Sequence, residues 1–264
     1  MPALGPRHHR VRRLRELIRD PRARRAAHAF VVEGPRVLEA AIDRDAEIES
    51  AYVGPGADSA FASLVGRLRD RDVPIEVLKE GVLERIGDTV TPQPVLAVAS
   101  MTRLGLDELG TAGLVLVAAT VRDPGNAGTL LRSAEAAGAA GVVFCGNSVD
   151  PHAPKVVRSS GGAVFGIPVV EEDDPVKVLD ALGRQGRRRL AAVATGGEHL
   201  ERVDLTGPVA IVLGNEASGL PLDLASGLDE KVTIPVDPPA ESLNVGMAGT
   251  VLAFEAARQR RAKP

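Results

Sequence analysis

Three clusters of polar residues stand where short apolar runs end, and each could carry chemistry. In Asp123-Pro-Gly-Asn-Ala-Gly128, followed by Thr-Leu-Leu-Arg132, Pro124, Gly125 and Gly128 turn the chain out of a strand before a helix begins. Arg132 falls within the first turns of that helix, where a guanidinium can grip a phosphate bidentately while Asn126 holds its geometry. An N-capping asparagine and an exposed helix arginine would leave the same trace. In Leu213-Gly-Asn-Glu-Ala-Ser-Gly-Leu220, two glycines bracket Asn215, Glu216 and Ser218 and leave main-chain groups available to a ligand. A polar turn closed by glycine is the plainer alternative. In Ile234-Pro-Val-Asp-Pro-Pro-Ala-Glu-Ser-Leu-Asn-Val245 the prolines stiffen a loop, and Ser242 or Asn244 can cap the helix that follows. Capping accounts for one of the two, but not for both beside Glu241.

The elements that must position these loops follow from the apolar periodicity. Ala29 to Glu33, Ile48 to Val53, Pro74 to Leu78 and Val95 to Ser100 are predicted strands. Helical spacing runs between them over Pro35 to Arg44, Ser59 to Arg71 and Lys79 to Ile86, giving a small α/β domain over 1–102. The pattern lapses over 103–111, which is predicted as a linker. A second domain, 112–264, then offers strands at Leu114 to Ala119, Val142 to Cys145, Ile167 to Val170, Arg189 to Thr195, Val209 to Leu213 and Lys231 to Ile234. Helices follow the first of these, Ala127 to Ala137, and the last, Leu243 to Arg261. Short strands apolar on both faces and alternating with helices imply a parallel sheet covered on both sides. Such sheets bind ligands beyond their carboxyl edges, where all three clusters fall.

Composition narrows the chemistry further. The 264 residues are 44% hydrophobic and 25% charged, and no stretch approaches the ~18 uninterrupted apolar residues of a membrane span. The arginine-rich start is not followed by an apolar core and cleavage site, so it does not read as a secretory signal. Cys145 is the only cysteine, and His8, His9, His28, His152 and His199 show no ligand spacing, which leaves no disulfide framework or zinc cluster to expect and points to the cytoplasm. The dinucleotide, Walker and nucleophile-elbow fingerprints are missing. Six aromatic residues, none of them tryptophan, cannot build a base-stacking platform. The net charge of −3 hides an asymmetry: ten arginines within residues 1–36 face three acidic residues, leaving +7 there and −10 on the remainder. A basic arm on an acidic body suits a protein that touches a polyanion at one end, and a solvated helix face is the bland reading of the same charges.

Taken in order, the three clusters resemble the SpoU/TrmH family of S-adenosylmethionine-dependent RNA ribose 2′-O-methyltransferases. The motif carried by Asn126, Gly128 and Arg132, the loop Gly214 to Leu220, and Ile234 to Val245 match its three motifs. Lys155-Val-Val-Arg158-Ser-Ser-Gly-Gly162 adds a further family-like stretch. The arginine-rich helix followed by Phe30-Val-Val-Glu-Gly-Pro35 resembles the small ribosomal-protein-like RNA-binding domain of many members. The chain departs from the family at Gly246 and Met247, beside the cofactor site, and at Pro92-Gln93-Pro94. The resemblance implies a C-terminal deep trefoil knot, a pocket for a bent S-adenosylmethionine, and a homodimer packed through the knotted domains. It implies Arg132, Asn126, Glu216, Ser242 and Asn244 in catalysis, and Thr195, Gly196, Leu213, Gly214, Ile234, Ser242 and Leu243 around the cofactor. Contacts to RNA are expected from Arg10, Arg12, Arg13, Arg22, Arg24, Arg25 and Arg158. The expected substrate is a 23S rRNA nucleotide, as in rRNA enzymes that include antibiotic-resistance types. The alternatives are a tRNA 2′-O-methyltransferase, a non-catalytic RNA-binding protein, and a different small-molecule enzyme that would have no use for the basic arm.

Overall fold

The computed structural model describes residues 3–87, 93–215, 219–221, 224–225, 227–239 and 241–262. In chain order the strands are β1 (Ala29–Glu33), β2 (Ile48–Val53), β3 (Ile75–Val77), β4 (Val95–Ser100), β5 (Leu114–Ala119), β6 (Gly141–Cys145), β7 (Val169–Glu172), β8 (Arg188–Ala192), β9 (Glu198–His199), β10 (Val209–Leu213) and β11 (Glu230–Thr233). The helices are α1 (His9–Arg19), α2 (Pro21–Ala27), α3 (Pro35–Asp43), α4 (Ala57–Ala60), α5 (Ala62–Arg69), α6 (Leu83–Ile86), α7 (Pro124–Ala136), α8 (Pro154–Ser159), α9 (Pro175–Arg184) and α10 (Val245–Ala262). The chain folds into two compact units, Met1–Thr102 with His152–Phe165, and Arg103–Pro151 with Gly166–Pro264.

In the first unit β4 lies between β1 and β2 and is antiparallel to both, and β3 pairs parallel to β2. Helix α1 buries Val11, Leu14, Leu17 and Ile18, the i, i+3, i+6/i+7 stripe of an amphipathic helix, in a core shared with Val31, Leu96 and Val98. Asp20 accepts from the Arg22 amide at 2.8 Å and Pro21 follows it, so α2 starts on a standard cap. Residues 152–165 correct the domain boundaries expected from the sequence. They belong to this unit because Val156, Val157, Ala163 and Val164 are buried there, α8 packs on β1, and Phe165 stacks on Phe30 at 5.5 Å.

The second unit is a seven-stranded, wholly parallel sheet in the order β7-β6-β5-β10-β8-β11-β9. Strands β5, β6 and β10 are buried along their whole length, as their near-continuous Val, Leu and Ala runs require. The strand expected at Ile167 to Val170 is displaced to Val169–Glu172, and the one expected at Arg189 to Thr195 ends at Ala192. The linker expected over 103–111 is instead part of this fold. Residues 106–108 form a 3-10 turn, Leu109 is buried in the core, and Arg187, itself buried, donates to the carbonyls of Gly110, Ala112 and Gly113. Burial lowers the pKa of that guanidinium. No helix among the described residues is long and apolar enough to cross a membrane.

Candidate functional site

Three strands of the parallel sheet, β8, β10 and β11, end on one cavity of about 410 Å³. Ala192, Val193 and Ala194 continue β8 into its wall, Leu213, Gly214 and Asn215 continue β10, and Ile234 and Val236 follow β11. Ser242, Leu243 and Asn244, at the approach to α10, close it together with Ala248 and Leu252. The volume falls in the range of small-molecule sites, and apolar side chains share the lining with polar side-chain and main-chain groups of the loops. The β10 loop folds back on itself, Asn215 and Gly219 exchanging main-chain bonds at 3.0 and 2.9 Å. A Cβ on Gly214 would strike the backbone of Gly219 and Leu220, so this close return needs glycine.

Of the residues expected around a cofactor, Leu213, Gly214, Ile234, Ser242 and Leu243 line the cavity. Thr195 and Gly196 do not: they lie exposed in the turn beyond β8, and Ala192 to Ala194 form the wall in their place. The apolar run misplaces them because the turn starts before that run ends, with the Gly197 amide held by Thr233 Oγ1 at 3.0 Å. Asn215, Val236, Ala248 and Leu252 were not among the expected pocket residues, although each follows a strand end or sits on the inward face of α10.

Helices α7 and α10 pack side by side and bring two of the expected polar residues together. Asp123, not Asn126, caps α7, accepting from the Asn126 amide at 2.8 Å with Pro124 in the first helical position. The Asn126 side chain is thereby released from capping. Asn244 Oδ1 accepts from the amides of Gly246 at 2.9 Å and Met247 at 3.3 Å and is the cap of α10. A Cβ on Gly246 would lie 3.2 Å from Asn244 Oδ1 and 3.3 Å from Asn126 Oδ1, so the two amide side chains converge on this one glycine. Further along, Ser133 and Thr250 share a hydrogen bond of 2.7 Å between the helices. Arg132 projects from α7 into solvent and forms no ion pair among the described residues. Ser242 is exposed at the cavity mouth, and Glu216 lies outside the described residues.

The arginines expected to meet RNA divide sharply. Arg10 is ion-paired with the buried Glu76, Arg13 with Glu49 at 2.7 Å, and Arg158 with the buried Glu33 at 3.0 Å. Arg24 is buried and donates to the carbonyls of Leu17 and Ile18 at 2.6 and 3.1 Å, closing the end of α1. Arg25 also has a partner. Arg12 and Arg22 remain exposed, with no ion pair among the described residues. Net charge along the sequence cannot distinguish these cases, because Glu76, which takes up Arg10, is remote in the chain.

A parallel sheet with a small-molecule pocket at its carboxyl edge, joined in one chain to a separate unit bearing basic helices, defines a two-domain protein that pairs a small ligand with a polyanion. Residues 113–254 match the model of the SpoU rRNA methylase family, and residues 8–97 match an MRM3-like substrate binding domain. The chain belongs to the SpoU rRNA methylase family. It is similar to a 23S rRNA (uridine(2479)-2′-O)-methyltransferase of Streptomyces viridochromogenes, with 30% identity over 95% of this chain and 90% of that one. It is 29% identical to the 23S rRNA (guanosine(2553)-2′-O)-methyltransferase RlmP of Bacillus subtilis, over 88% and 89%. Among solved structures it resembles the SpoU methyltransferase AviRb of S. viridochromogenes in complex with AdoMet. That match has a TM-score of 0.86 and 28% identity, covering 98% of this chain and all of that one. The AdoMet-bound rRNA methyltransferase of Sinorhizobium meliloti gives a TM-score of 0.81 with 27% identity, covering 95% of each chain.

Proposed function

We propose that this protein methylates a ribose 2′-oxygen of 23S rRNA, with S-adenosylmethionine as methyl donor. The observation that carries the reading is the convergence of the family's three motifs on one unit. The cavity at the ends of β8, β10 and β11 borders α10, whose capping Asn244 meets Asn126 of α7. The cavity suits the donor chemically: Leu213, Ile234, Val236 and Leu252 offer an apolar slot for a base, while Asn215, Ser242 and the exposed main chain of the loops offer polar partners. When bound, the donor supplies an electrophilic methyl on a sulfonium.

The remaining chemistry belongs to the chain. A guanidinium is a poor proton acceptor and a good bidentate donor to phosphate, so the role of Arg132 is to position and stabilise. It grips the phosphate beside the target ribose and stabilises the oxygen as its proton passes to solvent water, worth about 3–4 kcal/mol by analogy with an oxyanion donor. Asn126, Asn244, Ser242 and Glu216 orient Arg132 and the ribose. Arg12 and Arg22, with the exposed arginines at 7 and 19, hold the RNA backbone. The C-terminal domain forms the deep trefoil knot of its family, and the protein works as a homodimer in the cytoplasm. Support for the dimer comes from an apolar stripe on and before α10: Leu243, Met247, Val251 and Phe254 are 39%, 61%, 40% and 42% exposed. On an amphipathic helix of a monomer such a stripe would be polar.

The test is incubation of the protein with labelled S-adenosylmethionine and total RNA, followed by mapping of 2′-O-methylation. One modified nucleotide in 23S rRNA is expected. Label confined to tRNA would overturn the substrate, and no label in any RNA would overturn the activity.

A further inference from the structure

One strained residue at the centre of the sheet has no part in the roles above. Thr120, the first residue after β5, has φ +64°, a left-handed conformation that β-branched residues rarely adopt and that persists only where the surroundings impose it. Its amide donates to the carbonyl of Cys145, the last residue of β6, at 3.1 Å. Its carbonyl accepts from Asn215 Nδ2, two residues past the end of β10, at 3.2 Å. Its hydroxyl donates to the Ala119 carbonyl at 2.6 Å. The neighbouring Val121 amide donates to Ser148 Oγ at 3.1 Å, and that hydroxyl also reaches the carbonyls of Ala118 and Cys145, both at 2.8 Å. Strands β6, β5 and β10 are adjacent in the sheet, so the exits of three neighbouring strands are tied at Thr120.

On one side of this tie lies Asn215, which lines the cavity. On the other, three residues along the chain, lies Asp123, the cap that starts α7 with Asn126 and Arg132 on it. We propose that Thr120 is a positioning residue that links occupancy of the cofactor cavity to the placement of the α7 start. This rests on the functional reading above. A ligand that holds Asn215 holds the Thr120 carbonyl. A threonine already forced into the left-handed region has few other conformations within reach, so the short run to Asp123 is held with it. Glycine could make the same main-chain bonds but would leave that run free to wander, and asparagine tolerates the conformation while keeping it restricted.

The full-length chain, Thr120→Gly and Thr120→Asn are compared by thermal melting, S-adenosylhomocysteine affinity, amide exchange over residues 120–127, and methyl transfer to rRNA. In the wild type, S-adenosylhomocysteine should slow exchange over 120–127 at least tenfold. Thr120→Gly should melt at or above the wild-type temperature and keep its affinity within about twofold, yet lose most of that protection and about tenfold in kcat. Thr120→Asn should restore both. A merely structural role would move melting temperature and kcat in the same direction. Wild-type protection and kcat in Thr120→Gly would overturn the inference, as would a wild type that binds S-adenosylhomocysteine with no slowing over 120–127. A wild type that binds and shows the protection but methylates no RNA would refute the functional reading instead.

Discussion

Gly249→Ala should destabilise the protein even though it replaces the poorest helix former after proline with the best. In an open helix the exchange would gain about 1 kcal/mol. Here the new methyl would overlap Leu130 Cδ2 of α7 and lie 3.0 Å from Leu213 Cδ1 at the end of β10. Both leucines are buried, at 0% and 1% exposure, so neither can rotate into solvent to make room. Overpacking of this kind costs about 1–3 kcal/mol, so the net loss should be about 1 kcal/mol. Leu213 also lines the cavity, so S-adenosylhomocysteine affinity should fall together with stability. Urea unfolding of the full chain and calorimetric titration measure the two effects. Leu130→Ala alone should cost about 2–5 kcal/mol, and adding Gly249→Ala to it should cost less than in the wild type, because the methyl then enters the space that leucine vacated. A Gly249→Ala protein more stable than wild type with unchanged affinity would show slack between α7 and α10, and the tight packing of the two helices would be wrong.

Arg132→Ala should lower methyl transfer about 10²–10³-fold with cofactor affinity near wild type, since Arg132 does not line the cavity, and Arg132→Lys should recover little because the planar fork is gone. Full activity of the lysine variant would show that a point charge suffices. Arg12→Ala and Arg22→Ala should each flatten the salt dependence of RNA binding by about 0.7–0.9 log units for every phosphate no longer neutralised, as read from affinities over a salt series. Arg24→Ala should leave that slope unchanged and cost about 1–3 kcal/mol in urea unfolding, because it strands the carbonyls of Leu17 and Ile18. Burial, with Glu172 and Asp174 nearby, pushes the Cys145 thiol up to about 12, so at pH 8 a thiol reagent should label only unfolded protein. The folded state then holds its proton where the unfolded thiol has lost it, so this group's stabilisation is present below about pH 9 and lost as pH rises toward 12. A flat stability profile over that window in wild type, against Cys145→Ala, would contradict the assignment.

The two sheets were legible because their inner strands are buried on both faces: β4 of the first and β5 and β10 of the second coincide with the apolar runs read from the sequence. The three loops were legible because glycine, proline and asparagine mark strand exits for reasons local to the chain. What escaped is non-local. Residues 152–165 look like any short helical stretch, and their place in the first unit depends on β1, more than a hundred residues earlier. Arg10, Arg13 and Arg158 look like phosphate ligands until Glu76, Glu49 and Glu33 come into reach. Arg187 reads as one more surface charge in a run of arginines, and only the folded chain shows it buried under the carbonyls of residues 110–113. Thr120 leaves no composition signal at all, since its conformation is imposed by neighbours from the adjoining strand ends.

The position of β5 in the sheet bears on how the chain is made. β5 is the first strand of its unit to leave the ribosome, yet it ends up in the interior, with β6 on one side and β10 on the other. Val209 of β10 pairs opposite Leu114 of β5, 95 residues later. At ordinary translation rates that edge waits about 5–20 s for its partner. During that time a fully apolar strand, Leu-Val-Leu-Val-Ala-Ala, offers an unpaired row of amides and carbonyls to any neighbouring chain. Synthesis of this protein should therefore be more sensitive to crowded translation and to loss of chaperones than its finished stability suggests, and the same exposure recurs each time the unit unfolds and β10 separates from β5.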